Sequence, residues 1–84
     1  MSHAETERKV KEILAEKLSI DPAGIQPVSR LLDDLGMDSV LAIEILFELE
    51  EAFDVRIAEA DIVKAKTVKD IVDYMAAKGG AGPE

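Results

Sequence analysis

Apolar residues recur at helical spacing in three stretches of this chain, while alternation of the strand kind is confined to the triplet Val55-Arg56-Ile57. Val10, Ile13, Leu14 and Leu18 form one stripe, and Ser2-His3-Ala4-Glu5 before them has the spacing of a capping box, so a first helix is predicted over Ala4–Leu18. Asp21-Pro22-Ala23-Gly24 reads as a turn, and Pro27 with Ser29 interrupts any helix before Leu35. A second helix is predicted from Asp38 or Ser39 to Phe53, and a short helical turn over Ala58–Lys64 follows the extended Val55–Ile57 segment. A last helix opens with the cap Thr67-x-x-Asp70, buries Val68, Ile71, Val72 and Met75, and ends at Gly79.

These elements predict an all-α fold, a small four-helix bundle of three longer helices and one short third helix, with a long loop between the first two. Ile25, Val28, Leu31, Leu32 and Leu35 are expected to pin that loop to the core. With 84 residues there is room for one domain, expected at 1–78, and residues 79–84 are expected to form a disordered tail. Phe47, Phe53 and Tyr74 are the only aromatic residues, so Ile, Leu and Val must fill the core. There is no cysteine, which excludes disulfides and thiolate metal sites, and no internal repeat. No stretch resembles a signal core or a membrane span, and a monomeric cytoplasmic protein without membrane insertion is expected.

Charge changes the picture of the second helix. The chain carries a net −8, and ten acidic residues lie between Asp33 and Asp61 against one base, Arg56, so the rest of the chain is nearly neutral. Nucleic acid and anionic lipid suit such a surface poorly, and basic protein patches suit it well. On a helical wheel Ala42, Ile45, Leu46, Leu49, Ala52 and Phe53 share the core side. Val40, Ile43 and Phe47 fall opposite, among Glu44, Glu48, Glu50, Glu51 and Asp54. Folding alone does not call for three large apolar residues there. Either they pack beneath the long loop or the third helix, or they form a docking strip whose flanking acids steer basic partners.

Calcium coordination of the EF-hand type is excluded by spacing. Counting from Asp33 puts Asp38 where the loop needs glycine, and counting from Asp34 puts Ile45 where the bidentate glutamate belongs. No metal site is expected. Ser39 is no catalytic nucleophile of the triad kind, because the only histidine is His3 near the terminus and an activated serine needs a base within hydrogen-bond reach. Gly36 suits a positive φ that turns the chain into the second helix, and Asp38 suits its N-cap.

The run Leu35-Gly36-Met37-Asp38-Ser39-Val40, with "DSVLAIEILFELEEAFD" and the segment Val55 to Met75, resembles the acyl carrier protein family. That resemblance implies that Ser39 carries 4'-phosphopantetheine, and that Asp38 helps a phosphopantetheinyl transferase place its magnesium ion. The terminal thiol of the arm would hold acyl intermediates as thioesters. The protein itself would be no enzyme, but would be loaded and processed by partners with basic docking patches. It implies a partner surface of Val40, Ile43, Glu44, Phe47, Glu48 and Glu51, in which Glu44 and Glu51 match recurrent recognition acids. It also implies shelter for an acyl chain between the second and third helices, along Ile45, Leu46, Leu49, Ile57 and Ile62, roomier where Ala65 replaces a larger aliphatic residue. Leu41, where many fatty-acid carriers have an acid, leans towards polyketide or specialised carriers, and "LEEAFDVRI" leans back towards the fatty-acid type. A peptidyl carrier is the nearest alternative, and an acidic helical interaction module without a prosthetic group is the alternative of a different class.

Overall fold

The computed structural model describes residues 3–80, and four α-helices form their framework: α1 His3–Leu18, α2 Ser39–Phe53, α3 Glu59–Lys64 and α4 Val68–Met75. Among the described residues there is no strand. In α1 the residues at Thr6, Val10, Ile13, Leu14 and Ala15 are buried, a single stripe at the helical period. The helix ends at Ser19, whose φ of +58° lets the Ile20 N–H donate back to the Ala15 carbonyl. Its start one residue earlier than expected lies at the edge of the description, and Ser2 of the expected capping box lies outside the described residues.

Helix α2 buries Ala42, Ile45, Leu46 and Leu49 between α1 and α3, with Ala52 and Phe53 half-buried against the same core. It ends at Asp54, in the left-handed region at φ +56°, and the extended segment that follows is tied back where the Glu50 carboxylate accepts the Ile57 N–H at 2.9 Å. Glu50 therefore has a structural task that its place among the acids of the outer face concealed. Only Ile62 is buried in the six residues of α3.

Helix α3 is held from the other side by α4, where the Tyr74 hydroxyl donates to Asp61 at 2.8 Å. Burial, and then the bond to Asp61, pushes the Tyr74 hydroxyl above the usual tyrosine range. Tyr74→Phe is expected to cost about 0.5–1.5 kcal/mol in urea denaturation and to perturb amide resonances of α3 more than those of α1. Equal perturbation of the two helices would show that this bond does not hold α3.

The start of α4 is fastened twice. Thr67 and Asp70 form the expected capping box, and the Asp70 carboxylate accepts N–H bonds from both Lys66 (3.0 Å) and Thr67 (3.1 Å). Those two amides, Lys66 first, hold the Asp70 carboxyl below the usual carboxylate range. Its depressed folded-state value means that the stabilisation is complete above the unfolded value of about 3.9 and is lost as pH falls through the folded value. Asp70→Ala is expected to cost about 1 kcal/mol at neutral pH, the size of a lost cap on an exposed and screened group. As pH falls below the unfolded value and on through the folded one, that gap should close. A gap that stays constant across an acid titration followed by urea denaturation would contradict this account.

The long segment from Ser19 to Asp38 is held differently from expectation. Ile25 and Leu31 are buried and Leu35 is half-buried, as expected, but Val28 is 75% exposed and Leu32 67% exposed. Met37 is buried instead. The segment does not need the two missing anchors, because three backbone hydrogen bonds join it to the residues before and at the start of α4. Leu31 N–H donates to the Lys66 carbonyl (2.9 Å), Val68 N–H to Ser29 (3.1 Å) and Lys69 N–H to Pro27 (2.9 Å), with Arg30 and Thr67 paired as an isolated antiparallel bridge. Within the segment, the Asp21 side chain caps a 3-10 turn over Pro22–Gly24.

Gly79 does not end the last helix. The winding loosens from α to π at Ala76 and continues through Gly80, so the expected boundary between residues 78 and 79 falls inside a helical turn. The remainder of the expected tail, 81–84, lies outside the described residues. The core is aliphatic as expected, and of the three aromatic side chains Phe53 and Tyr74 are half-buried and Phe47 is exposed.

Candidate functional site

Three local devices bring Ser39 to the surface at the first position of α2. Gly36 adopts φ +73°, which a β-carbon would disfavour by about 1 kcal/mol although it would meet no neighbour there. The bend lets Gly36 N–H donate to the Leu32 carbonyl and Met37 N–H to the Leu31 carbonyl, seating the Met37 side chain in the core. Asp38, in extended conformation, then caps α2: its Oδ1 accepts the Leu41 N–H at 2.8 Å and its carbonyl accepts the Ala42 N–H at 2.8 Å. Asp38 and Ser39 are both exposed, and the Ser39 hydroxyl bonds to no described residue.

Ser39 stands at the lip of a cavity of about 420 Å³. Leu31 and Leu32 of the long segment, Met37, Ala42 of α2, Val63 of α3 and Ala65 give it mostly apolar walls, and Arg30, Asp33, Asp38 and Lys66 supply its charged rim. None of Ile45, Leu46, Leu49, Ile57 and Ile62 lines this space; all five are buried in the packed core. The open volume beside Ser39 is thus shallower and nearer the long segment than the seam along those residues. Two lining residues, Val63, 61% exposed on α3, and Lys66, carry no functional signal in the sequence pattern. Val63 follows the buried Ile62 in so short a helix that no period reveals its side.

The outer side of α2 divides into acids with partners inside the protein and acids without. Glu48 pairs with Lys17 of α1 at 3.5 Å, and Glu50 is bound to Ile57. Glu44 and Glu51 are exposed and make no ion pair among the described residues. Val40 is 66% and Phe47 61% exposed, so neither is held beneath the long segment, and Ile43 is half-buried without packing against the core. The first turn of α2 contains no acid and its last turn no base, while Glu50, Glu51 and the Asp54 cap gather at the end where the helix dipole already concentrates negative charge. That arrangement costs stability.

No histidine stands near Ser39 to activate its hydroxyl. His3 contacts Asp73 at 3.4 Å and does not line the cavity, and no other histidine exists in the chain. Among the described residues no three carboxylate or imidazole groups converge as a metal site would require. An exposed, unactivated serine on a firmly capped helix start can be a point of attachment, with the bond-making groups supplied by another protein. The residues present fit such an attached group, since the hydroxyl is open to solvent and the cavity beside it offers apolar contact.

Comparison with known proteins agrees. Residues 8–75 match the family model described as a phosphopantetheine attachment site. The chain is 41% identical over 73 residues to an acyl carrier protein of Bdellovibrio bacteriovorus, covering 87% of this chain and 94% of that one. It is 43% identical over 76 residues to an acyl carrier protein of Syntrophobacter fumaroxidans, covering 90% and 94%. A solved structure of a candidate acyl carrier protein from Mycobacterium tuberculosis superposes with a TM-score of 0.79 at 33% identity, covering 86% of this chain and 96% of that one. A non-catalytic four-helix body with an exposed serine at the start of α2, matched over most of its length by these relatives, belongs to the acyl carrier protein family, whose members carry a covalent 4'-phosphopantetheine arm.

Proposed function

We propose that Ser39 is the attachment point of the 4'-phosphopantetheine arm, and that the protein carries acyl intermediates of fatty-acid or polyketide type as thioesters on it. The observation that supports this most directly is the exposed hydroxyl at the first position of α2, beside an apolar cavity of about 420 Å³. In the transfer from coenzyme A, the Ser39 oxygen bonds to the phosphorus nearest the pantetheine. The bond from that phosphorus to the adenosine bisphosphate half breaks, and the hydroxyl proton passes to a base of the transferase. Asp38 stays the helix cap through Oδ1, and its exposed carboxylate would help the transferase place its metal ion beside Ser39.

Partner enzymes dock on Val40, Ile43 and Phe47, steered by Glu44 and Glu51, with Glu48 at the margin because Lys17 already neutralises it. An acyl chain enters at Leu31, Met37, Ala42, Val63 and Ala65, and the packed residues Ile45, Leu46, Leu49, Ile57 and Ile62 must part for a longer one. Incubation of the purified protein with coenzyme A and a transferase of broad specificity should add the mass of one phosphopantetheinyl group. A protein that stays at its original mass under conditions that modify a known carrier would be an interaction module instead.

A further inference from the structure

Two methionines lie in the described core, and their surroundings differ. Met75 of α4 is 0% exposed and does not line the cavity. Met37 is 7% exposed and does line it, together with Leu32 and Val63, which are open to solvent. A cavity of about 420 Å³ has room for several molecules the size of water, each of which takes up about 30 Å³, so a small hydroperoxide can enter and meet Met37. Met37 is the one sulfur-bearing residue in that lining, and the chain has no cysteine to compete for the oxidant.

What keeps Met37 inward is local. Gly36 turns the chain at φ +73°, the Met37 N–H donates to the Leu31 carbonyl at 2.8 Å, and Asp38 begins the cap of α2 at the next residue. The thioether adds apolar contact with the core and little else. An oxygen on its sulfur makes the side chain polar. Among the described residues no buried side-chain nitrogen or oxygen lacks a partner, so the core holds no free side-chain donor for that oxygen. A sulfoxide is therefore drawn out towards water, and the turn that carries Asp38 and Ser39 loses its inward anchor.

We propose that Met37 is an oxidation site through which hydroperoxides loosen the start of α2 and slow the loading of Ser39. The sulfur lone pair takes the terminal oxygen of the hydroperoxide and the O–O bond breaks. The proton on the transferred oxygen passes to the departing one, which leaves as water or an alcohol. Sulfur loses two electrons and the peroxide gains them. The effect on loading rests on Ser39 being the attachment point, whereas the oxidation and the loosening do not.

The test treats apo wild type, Met37→Leu and Met75→Leu with hydrogen peroxide and follows oxygen uptake by peptide mass mapping, with Met1 scored separately. Met37 should gain one oxygen at least about tenfold faster than Met75, because susceptibility follows exposure. The wild type and Met75→Leu should then each melt at least about 4 °C below their own untreated samples. Met37→Leu, a change of nearly equal volume, should keep its melting point. Methionine sulfoxide reductases for both sulfoxide epimers should restore the wild type. Equal rates at Met37 and Met75, an unchanged melting point in protein oxidised at Met37, an equal fall in Met37→Leu, or arm loading at the untreated rate would overturn the proposal. Untreated protein that takes no arm would overturn the attachment reading instead, and its intact mass separates that failure from this one.

Discussion

Ser39→Ala should abolish attachment of the phosphopantetheine arm entirely and leave the fold untouched. The side chain is exposed and bonds to no described residue, the cap of α2 belongs to Asp38, and alanine is at least as good a helix former at that position. A stability change within about 0.5 kcal/mol follows, as for other surface substitutions. The remaining described serines offer no substitute. Ser19 occupies the left-handed turn that ends α1, and the hydroxyl of the half-buried Ser29 accepts the Gln26 N–H within a turn. Neither opens a helix. Intact mass after exposure to coenzyme A and transferase, with a thermal melt on the same sample, decides the matter. A variant that still gains the arm would move the attachment point off α2.

Charge reversal on the outer side of α2 should produce the second large effect. Glu44→Lys combined with Glu51→Lys removes two exposed acids that have no partner in the protein, so encounter with a basic transferase should slow by about tenfold or more at low salt. The deficit should shrink as salt screens the steering. The melting temperature should hold or rise, because a lysine in the last turn complements the helix dipole that Glu51 opposes. Phe47→Ala should likewise slow modification while leaving stability nearly unchanged. Its ring is 61% exposed, whereas a core phenylalanine would cost about 3–5 kcal/mol. Normal modification rates in both variants, or a steep loss of stability in the second, would remove α2 from the docking account.

The helices and the start of α2 were legible in the sequence because local rules govern them. The helical period marks Ile45, Leu46 and Leu49, a turn glycine marks Gly36, and cap chemistry marks Asp38 and Thr67. The segment before α2 obeys no period. Which of its apolar residues turn inward is decided by pairing with residues 66–69, far along the chain, and that pairing exposes Val28 and Leu32 while burying Met37. The cavity was hidden for a related reason. Its walls come from three separate stretches, 30–33, 37–42 and 63–66, and its volume depends on where the short α3 settles, which Tyr74 and Glu50 help to fix through bonds that no local spacing announces.

The bridge between Arg30 and Thr67 divides the chain into a circuit and its two leads. Everything that lines the cavity lies on the circuit or at its neck, from Arg30 through α2 and α3 to Lys66, and no residue of α1 or α4 contributes. The leads pack against each other, and His3 meets Asp73 where they run side by side. Such a topology is portable: fusing other sequence to the leads pulls on α1 and α4 and reaches the circuit only through the core they share with it. One body can then serve in isolation or as a bead within a longer chain, with the working surface unchanged.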